Sequence, residues 1–229
     1  MSKHRDNEKE YIESVIKNNP DRTGWFYAEE EGDVFEDWYF ITQEHSYFSN
    51  KIIKVNDELC AFGEYGRALN GFVSCSHYTD EHDKTEVWLL NSFVDDTKPL
   101  SMEDYFNLGP EYRYFFGKDG LQKSKIIKIR LSDNNVYELV TDVHGQIFSG
   151  LIFDNRLCVK GLIANEHMFV TPYKTFGTII VDKVPFLVSP EGSILNTTKF
   201  KYREGKVYAY VNSDKTFFYS TNSNDKKWY

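Results

Sequence analysis

The chain has 229 residues, 27 of them Lys or Arg and 35 Asp or Glu, for a formal net charge of −8, and 17% of it is aromatic. That apolar mass offsets the ordering entropy of folding and so excludes an intrinsically disordered chain, while no stretch approaches the ~20 apolar residues of a membrane-spanning helix. An acidic chain is also a poor general binder of nucleic-acid phosphate.

The opening segment, MSKHRDNEKEYIES, is charged throughout and has no apolar h-region, so no export signal is expected and the expected compartment is the cytoplasm. Cys60, Cys75 and Cys158 are odd in number and far apart, which fits three thiols in a reducing compartment better than a disulfide framework. Residues 6–19 read as a helix: Tyr11, Ile12, Val15 and Ile16 make one apolar stripe, Asp6 or Asn7 stands where a cap belongs, and Pro20 follows the end.

From there the texture is β. Segments 24–28, 35–41, 52–55, 72–78 and 86–94 are rich in Val, Ile, Phe, Tyr and Trp and are separated by turn formers. The first two carry Trp25-Phe26-Tyr27 and Trp38-Tyr39-Phe40, joined by Glu29-Glu30-Glu31-Gly32-Asp33 and by Glu36-Asp37, which predicts an aromatic hairpin with an acidic tip. Asn70-Gly71 suits a two-residue turn between Ala68-Leu69 and Phe72-Val73. A second helix is expected from Ser101, capped through Asp104, with Met102, Tyr105 and Phe106 on its buried side and Gly109-Pro110 at its end.

Residues 117–124, GKDGLQKS, have the composition of a linker. Beyond them lie KIIKIRL, NVYELVTD, QIFSGLIF, RLCVKGLIA, HMFVTP, GTIIVD, FLVS, TKFKYRE, KVYAYVN and KTFFYS, strand-like runs punctuated by turn residues. The predicted fold class is therefore α+β, predominantly antiparallel β. It comprises an acidic mixed region with a leading helix over 1–120 and a β-meander, sandwich or barrel-like region over 121–229, as two domains or around one core. Residues 147–155 and 207–214 are alike only as hairpins are alike, and no repeat is read from them.

Candidate chemistry is sparse. The richest cluster of metal-type donors is Cys75, His77, Asp80, His82, Asp83 and Glu86, with His77, His82 and Asp80 or Asp83 as the ligands it would offer. Its spacing matches no compact metal motif, and a polar hairpin turn accounts for the same residues. Serine-hydrolase, P-loop and dinucleotide fingerprints are all absent. Lys199, Lys201 and Arg203 alternate with Phe200 and Tyr202, ahead of Tyr208 and Tyr210, which sketches a stacking surface for a single strand or small ligand. On a strand, however, those cations and rings fall on opposite faces.

Charge is the strongest compositional signal. Residues 1–117 hold 11 basic and 24 acidic side chains, a net of −13, whereas 118–229 hold 16 basic and 11 acidic, a net of +5. Docking of one half on the other explains such asymmetry, and so does a basic partner. The expected function is a non-catalytic acidic protein that binds and inhibits a basic protein partner, a toxin or a nucleic-acid-binding protein, as immunity proteins and phage inhibitors do. Its candidate contacts are Trp25, Tyr27, Glu30, Asp33, Glu36, Asp37 and Trp38, since Trp and Tyr carry a disproportionate share of interface energy. Neither a metal nor a cofactor is expected. The alternatives are a metal-dependent hydrolase or nuclease on the 75–86 cluster, and a ligand- or single-strand-binding carboxy-terminal β-module.

Overall fold

Period-two burial along the early strands decides how the amino-terminal half is layered. The computed structural model describes residues 7–28, 37–94, 98–117, 119–172, 176–182 and 184–195, and the strand backbones at 200–201, 208–211 and 217–220. The protein is α+β and mostly antiparallel, and it divides into two compact units. The first comprises Met1–Lys125, Leu131–Asp133 and Thr141–Ile147; the second comprises Ile126–Arg130, Asn134–Val140 and Phe148–Tyr229. No helix among the described residues is long and apolar enough to cross a membrane.

The first unit opens with helix α1, Glu8–Asn18, whose first turn carries Glu8 and Glu10 and whose last carries Lys17, the arrangement the helix dipole favours. Asn7 holds the N-cap position but makes no side-chain cap bond. Strands β1 (Gly24–Ala28) and β2 (Asp37–Ile41) pair as the expected hairpin, with Trp25 opposite Phe40, Phe26 opposite Tyr39 and Tyr27 opposite Trp38. One face of that hairpin, Phe26, Ala28, Tyr39 and Ile41, is buried against Ile12. The other face carries Trp25 and Phe40 onto Phe62, Val55 and Cys60 of the next hairpin, β3 (Lys51–Val55) and β4 (Glu58–Phe62).

The same alternation repeats one layer on. In the β3–β4 hairpin Ile53, Cys60 and Phe62 face back to the aromatic hairpin, while Ile52 and Ala61 face Val73, Trp88, Tyr114, Phe116 and Leu121. Those residues belong to the sheet β6-β5-β7-β8, built from β5 (Gly71–Thr79), β6 (Glu86–Phe93), β7 (Tyr114–Gly117) and β8 (Gly120–Leu121). Helix α2, Met102–Asn107, has the predicted cap: Ser101 Oγ accepts from the Asp104 N–H at 3.0 Å, and Tyr105 is buried. Edge-on and stacked ring pairs run through these layers, each worth about 0.5–1.5 kcal/mol beyond area burial.

In the second unit β9 (Ile126–Arg130), β10 (Val136–Val140), β11 (Ile152–Phe153), β12 (Arg156–Val159) and β13 (Leu162–Ile163) form a sheet in the order β11-β12-β13-β10-β9. Strands β14 (Thr171–Pro172), β15 (Gly177–Val181) and β16 (Val184–Val188) form another, as do β17 (Phe200–Lys201), β18 (Tyr208–Val211) and β19 (Phe217–Ser220). Leu157, Ala164, Ile179, Phe186 and Val188 make one core cluster, and Val140, Cys158 and Ile163 a second.

Among the described residues four hairpins end in the same five-residue corner, a repeat that residue types alone do not display. The N–H of the first corner residue donates to the carbonyl of the fifth at Thr42→Ser46 (2.8 Å), Gly63→Arg67 (2.9 Å), Asp142→Gln146 (2.8 Å) and Ser189→Ser193 (2.9 Å). The fourth residue returns its N–H to the first carbonyl in each case and is left-handed: His45 (φ 54), Gly66 (φ 83), Gly145 (φ 78) and Gly192 (φ 90). Single bridges close the corners at Ile41–Tyr47, Phe62–Ala68, Thr141–Ile147 and Val188–Ile194. The repeat is carried by backbone geometry, and the apolar residues around it share too little identity to display it.

Other expectations are corrected by the same hydrogen bonds. Asn70-Gly71 is no hairpin turn, because the Ala68 and Leu69 N–H groups are already given to Trp38 and Ala61 while Phe72 and Val73 pair with β7. Segment 117–124 is no linker: it contains β8, and Leu121 and Gln122 are buried. RLCVKGLIA is two strands folded at the left-handed pair Lys160 and Gly161, and HMFVTP holds a short 3-10 turn before β14. Strands β4 and β7 are additions to the predicted set.

Gly66 and Gly24 separate the two roles of a left-handed glycine. A Cβ at Gly66 would lie 2.6 Å from Tyr47 Cβ, whereas one at Gly24 (φ 87) would meet nothing within 4 Å. Gly24→Ala should therefore cost about 1–2 kcal/mol, the backbone cost alone. Gly66→Ala should cost about 1–3 kcal/mol more through overpacking, read as urea midpoints of the two variants.

Candidate functional site

Strand alternation divides the predicted contact residues between two surfaces. Trp25, Tyr27, Trp38 and Phe40 share the hairpin face turned away from α1, with the Tyr27 and Trp38 rings 5.4 Å apart and the Trp25 and Phe40 rings 5.3 Å apart. Tyr27 is exposed; Trp25 and Trp38 are half-buried. Glu30, Asp33 and Glu36 lie outside the described residues.

Asp37 takes the opposite surface. It shares the inward face of Tyr39 and Ile41, is 1% exposed, and stands 3.9 Å from Arg67 Nη1. Arg67, itself buried, also has Nε 3.4 Å from Glu8 Oε1, and the Tyr39 hydroxyl donates to that same oxygen at 3.1 Å. Burial, then the Glu8 and Asp37 charges, push the Tyr39 phenol far above its ordinary value, with Arg67 pulling back only in part. Asp37 thus joins a polar core that ties α1, the aromatic hairpin and the 63–67 corner together. The sequence carried a signal for this, because Asp37 is two residues from Tyr39 and four from Ile41 on a period-two strand.

Two clefts flank Trp25. One, about 490 Å³, is lined by Trp25, Phe40, Thr42, Glu44, Phe48 and Asn56 among others. The second, about 460 Å³, lies between Trp25, Trp38, Val55, Glu58, Cys60 and Asp119. Asn56, which borders both, is left-handed (φ 50) at the tip of the β3–β4 hairpin. Glu58 and Asp119 were not among the residues singled out from sequence. Only the folding of β4 and of the β7–β8 turn brings them to the Trp25 face.

The 75–86 cluster is a turn built from its own acids. Asp80 Oδ1 accepts from the His82 N–H at 2.8 Å, and Asp83 Oδ1 accepts from the Thr85 N–H at 2.9 Å and from the Thr85 hydroxyl. Those bonds, the Thr85 hydroxyl foremost, hold the Asp83 carboxyl below its usual range. His77 stacks on Trp88 with ring centres 4.4 Å apart, and its Nδ1 lies 3.4 Å from Glu86 Oε1. Among the described residues no three His, Cys, Asp or Glu side chains converge as a metal site requires. The side chains of the 199–210 candidate surface lie outside the described residues.

All three cysteines are free thiols. Burial pushes Cys60 up to about 11, with Glu58 and Asp119 adding to it; burial likewise pushes Cys75 to about 12 and Cys158 to about 11. None has the lowered thiol pKa of a nucleophile. No protein family matches the sequence, and no curated protein is detectably similar to it.

Two measurements test this description. Arg67→Ala removes the guanidinium beside buried Asp37 and half-buried Glu8 and should cost about 3–5 kcal/mol in denaturant unfolding, part of it recovered by adding Asp37→Ala. The thiols are protonated in the folded state above the pH at which unfolded thiols ionise, so their stabilisation is complete below pH 9 and lost as pH rises toward 11–12. Disulfide-reagent labelling of native protein at pH 8 should accordingly lag far behind labelling in denaturant.

Proposed function

We propose that this chain is a non-catalytic, cytoplasmic, acidic protein that binds and inhibits a basic protein partner, a toxin or a nucleic-acid-binding protein, in the manner of immunity proteins and phage inhibitors. The observation that carries the reading is the aromatic face of the first hairpin. Trp25, Tyr27 and Trp38 present ring surface beside a cleft bordered by Glu58 and Asp119, on the hairpin whose connecting segment holds the chain's densest acidic run.

Rings of this type supply contact area at low entropic cost, and surrounding carboxylates steer a cationic surface onto them. The net charge of −13 on residues 1–117 extends that field. Asp37 contributes no surface charge, so the steering falls to Glu30, Asp33 and Glu36 together with Glu58 and Asp119.

The test is kinetic. With the basic protein recovered by affinity capture from native lysate, Glu30→Lys, Asp33→Lys and Glu36→Lys together should slow association about tenfold or more at low salt, with the gap closing at high salt. The melting temperature should stay within a few degrees of the parent. Association rates unchanged by the triple reversal would sink the mechanism.

A further inference from the structure

The cleft between Trp25 and Trp38 has a composition that selects its occupant. Glu58 opens β4 on the same face as Cys60, and Asp119 stands in the β7–β8 turn. Neither carboxylate has an ion-pair partner among the described residues, and no Lys or Arg is among the described residues that line the cleft. The field of both acids reaches the cleft floor, since after burial it is Glu58 and Asp119 that disfavour the Cys60 thiolate. What repels a thiolate attracts a cation.

A bare metal ion does not fit: among the described residues no three His, Cys, Asp or Glu side chains converge to hold one. A phosphate is repelled. An organic cation satisfies both wall types, because the indole face attracts positive charge and the carboxylates pair with it. Among protein cations, arginine matches best. Its planar guanidinium stacks on a ring while its fork of N–H donors reaches carboxylates at the rim, whereas an ammonium is a compact, strongly hydrated point charge.

We infer that this cleft is the receptor for one arginine side chain of the basic partner, seated against Trp25 and Trp38 and paired with Glu58 and Asp119. The inference rests on the binding function proposed above and names its anchor. A volume of about 460 Å³ lies within the roughly 300–1,000 Å³ of ligand pockets.

The probe is tetra-arginine, acetylated at its amino end and amidated at its carboxyl end, titrated by calorimetry at low salt into the full chain, with tetra-lysine capped in the same way as comparison. Saturable 1:1 binding is expected, several-fold weaker for the lysine peptide. Glu58→Gln with Asp119→Asn, both exposed and isosteric, should weaken the arginine peptide about tenfold without changing the melting temperature. As a second readout on the unaltered protein, the indole N–H resonances of Trp25 and Trp38 should shift during titration while that of Trp88, buried in the neighbouring cluster, stays in place.

Absence of binding, equal affinity for both peptides, or affinity unaffected by the double substitution overturns the assignment. So does self-association of the chain that the double substitution abolishes, which would give the cleft to a second copy. The two readings fail separately. If Glu58→Gln with Asp119→Asn leaves capture of the basic partner intact, the cleft assignment falls and the binder stands. If the arginine peptide binds as stated but no basic protein partner exists, the cleft stands and the binder falls.

Discussion

Passing from one hairpin to the next without stranding backbone polar groups is the constraint on which this architecture depends. A strand that leaves its ladder at Ile41, Phe62, Thr141 or Val188 must turn while keeping its N–H and carbonyl groups paired, since buried orphans cost free energy comparable to a lost hydrogen bond. The five-residue corner meets this with two backbone bonds and one left-handed residue. At three corners the first side chain adds a third bond, Thr42, Asp142 and Ser189 accepting from the N–H of the fifth residue. Gly63 cannot do so, and at that corner it is the fifth residue, Arg67, whose side chain reaches the polar core. Corner chemistry and core chemistry are therefore joined at one residue.

Much of the first unit was legible because its signals are local. The α1 stripe, the aromatic hairpin and the Ser101 cap each follow from patterns within one short stretch of sequence, and all three are present. What was not legible depends on partners distant in sequence. Leu69 gives its N–H to Ala61, which removes the hairpin that Asn70-Gly71 suggested. Leu121 is buried against Ile52, Ala61 and Trp88, which no composition rule for a Gly- and Lys-bearing segment conveys. The candidate site divides the same way: Trp25, Tyr27 and Trp38 fall on one face by simple alternation, while Glu58 and Asp119 join them only through tertiary folding. Asp37 was legible by that same alternation, but the acidic run beside it drew it into the surface group.

The acidic half uses its charge in two distinct ways. Some carboxylates are structural: Glu8 and Asp37 around Arg67, Asp80 and Asp83 in their turn. Others, such as Glu58 and Asp119, have no ion-pair partner among the described residues and shape the potential over the Trp25 face. Net charge alone does not separate these populations. Burial and hydrogen bonding do, and they make the aromatic hairpin one surface among the described residues where charge and ring area coincide.

Arg67 also sets an order of events. Helix α1 and the β1–β2 hairpin are complete in sequence by Ile41, yet the Arg67 guanidinium that stands beside both Glu8 and the buried Asp37 belongs to the corner that follows the second hairpin. In synthesis from the amino terminus those two contacts close only once the second hairpin has emerged and brought its corner back. The opening third of the unit matures as one cooperative piece, locked by a residue made after everything it holds.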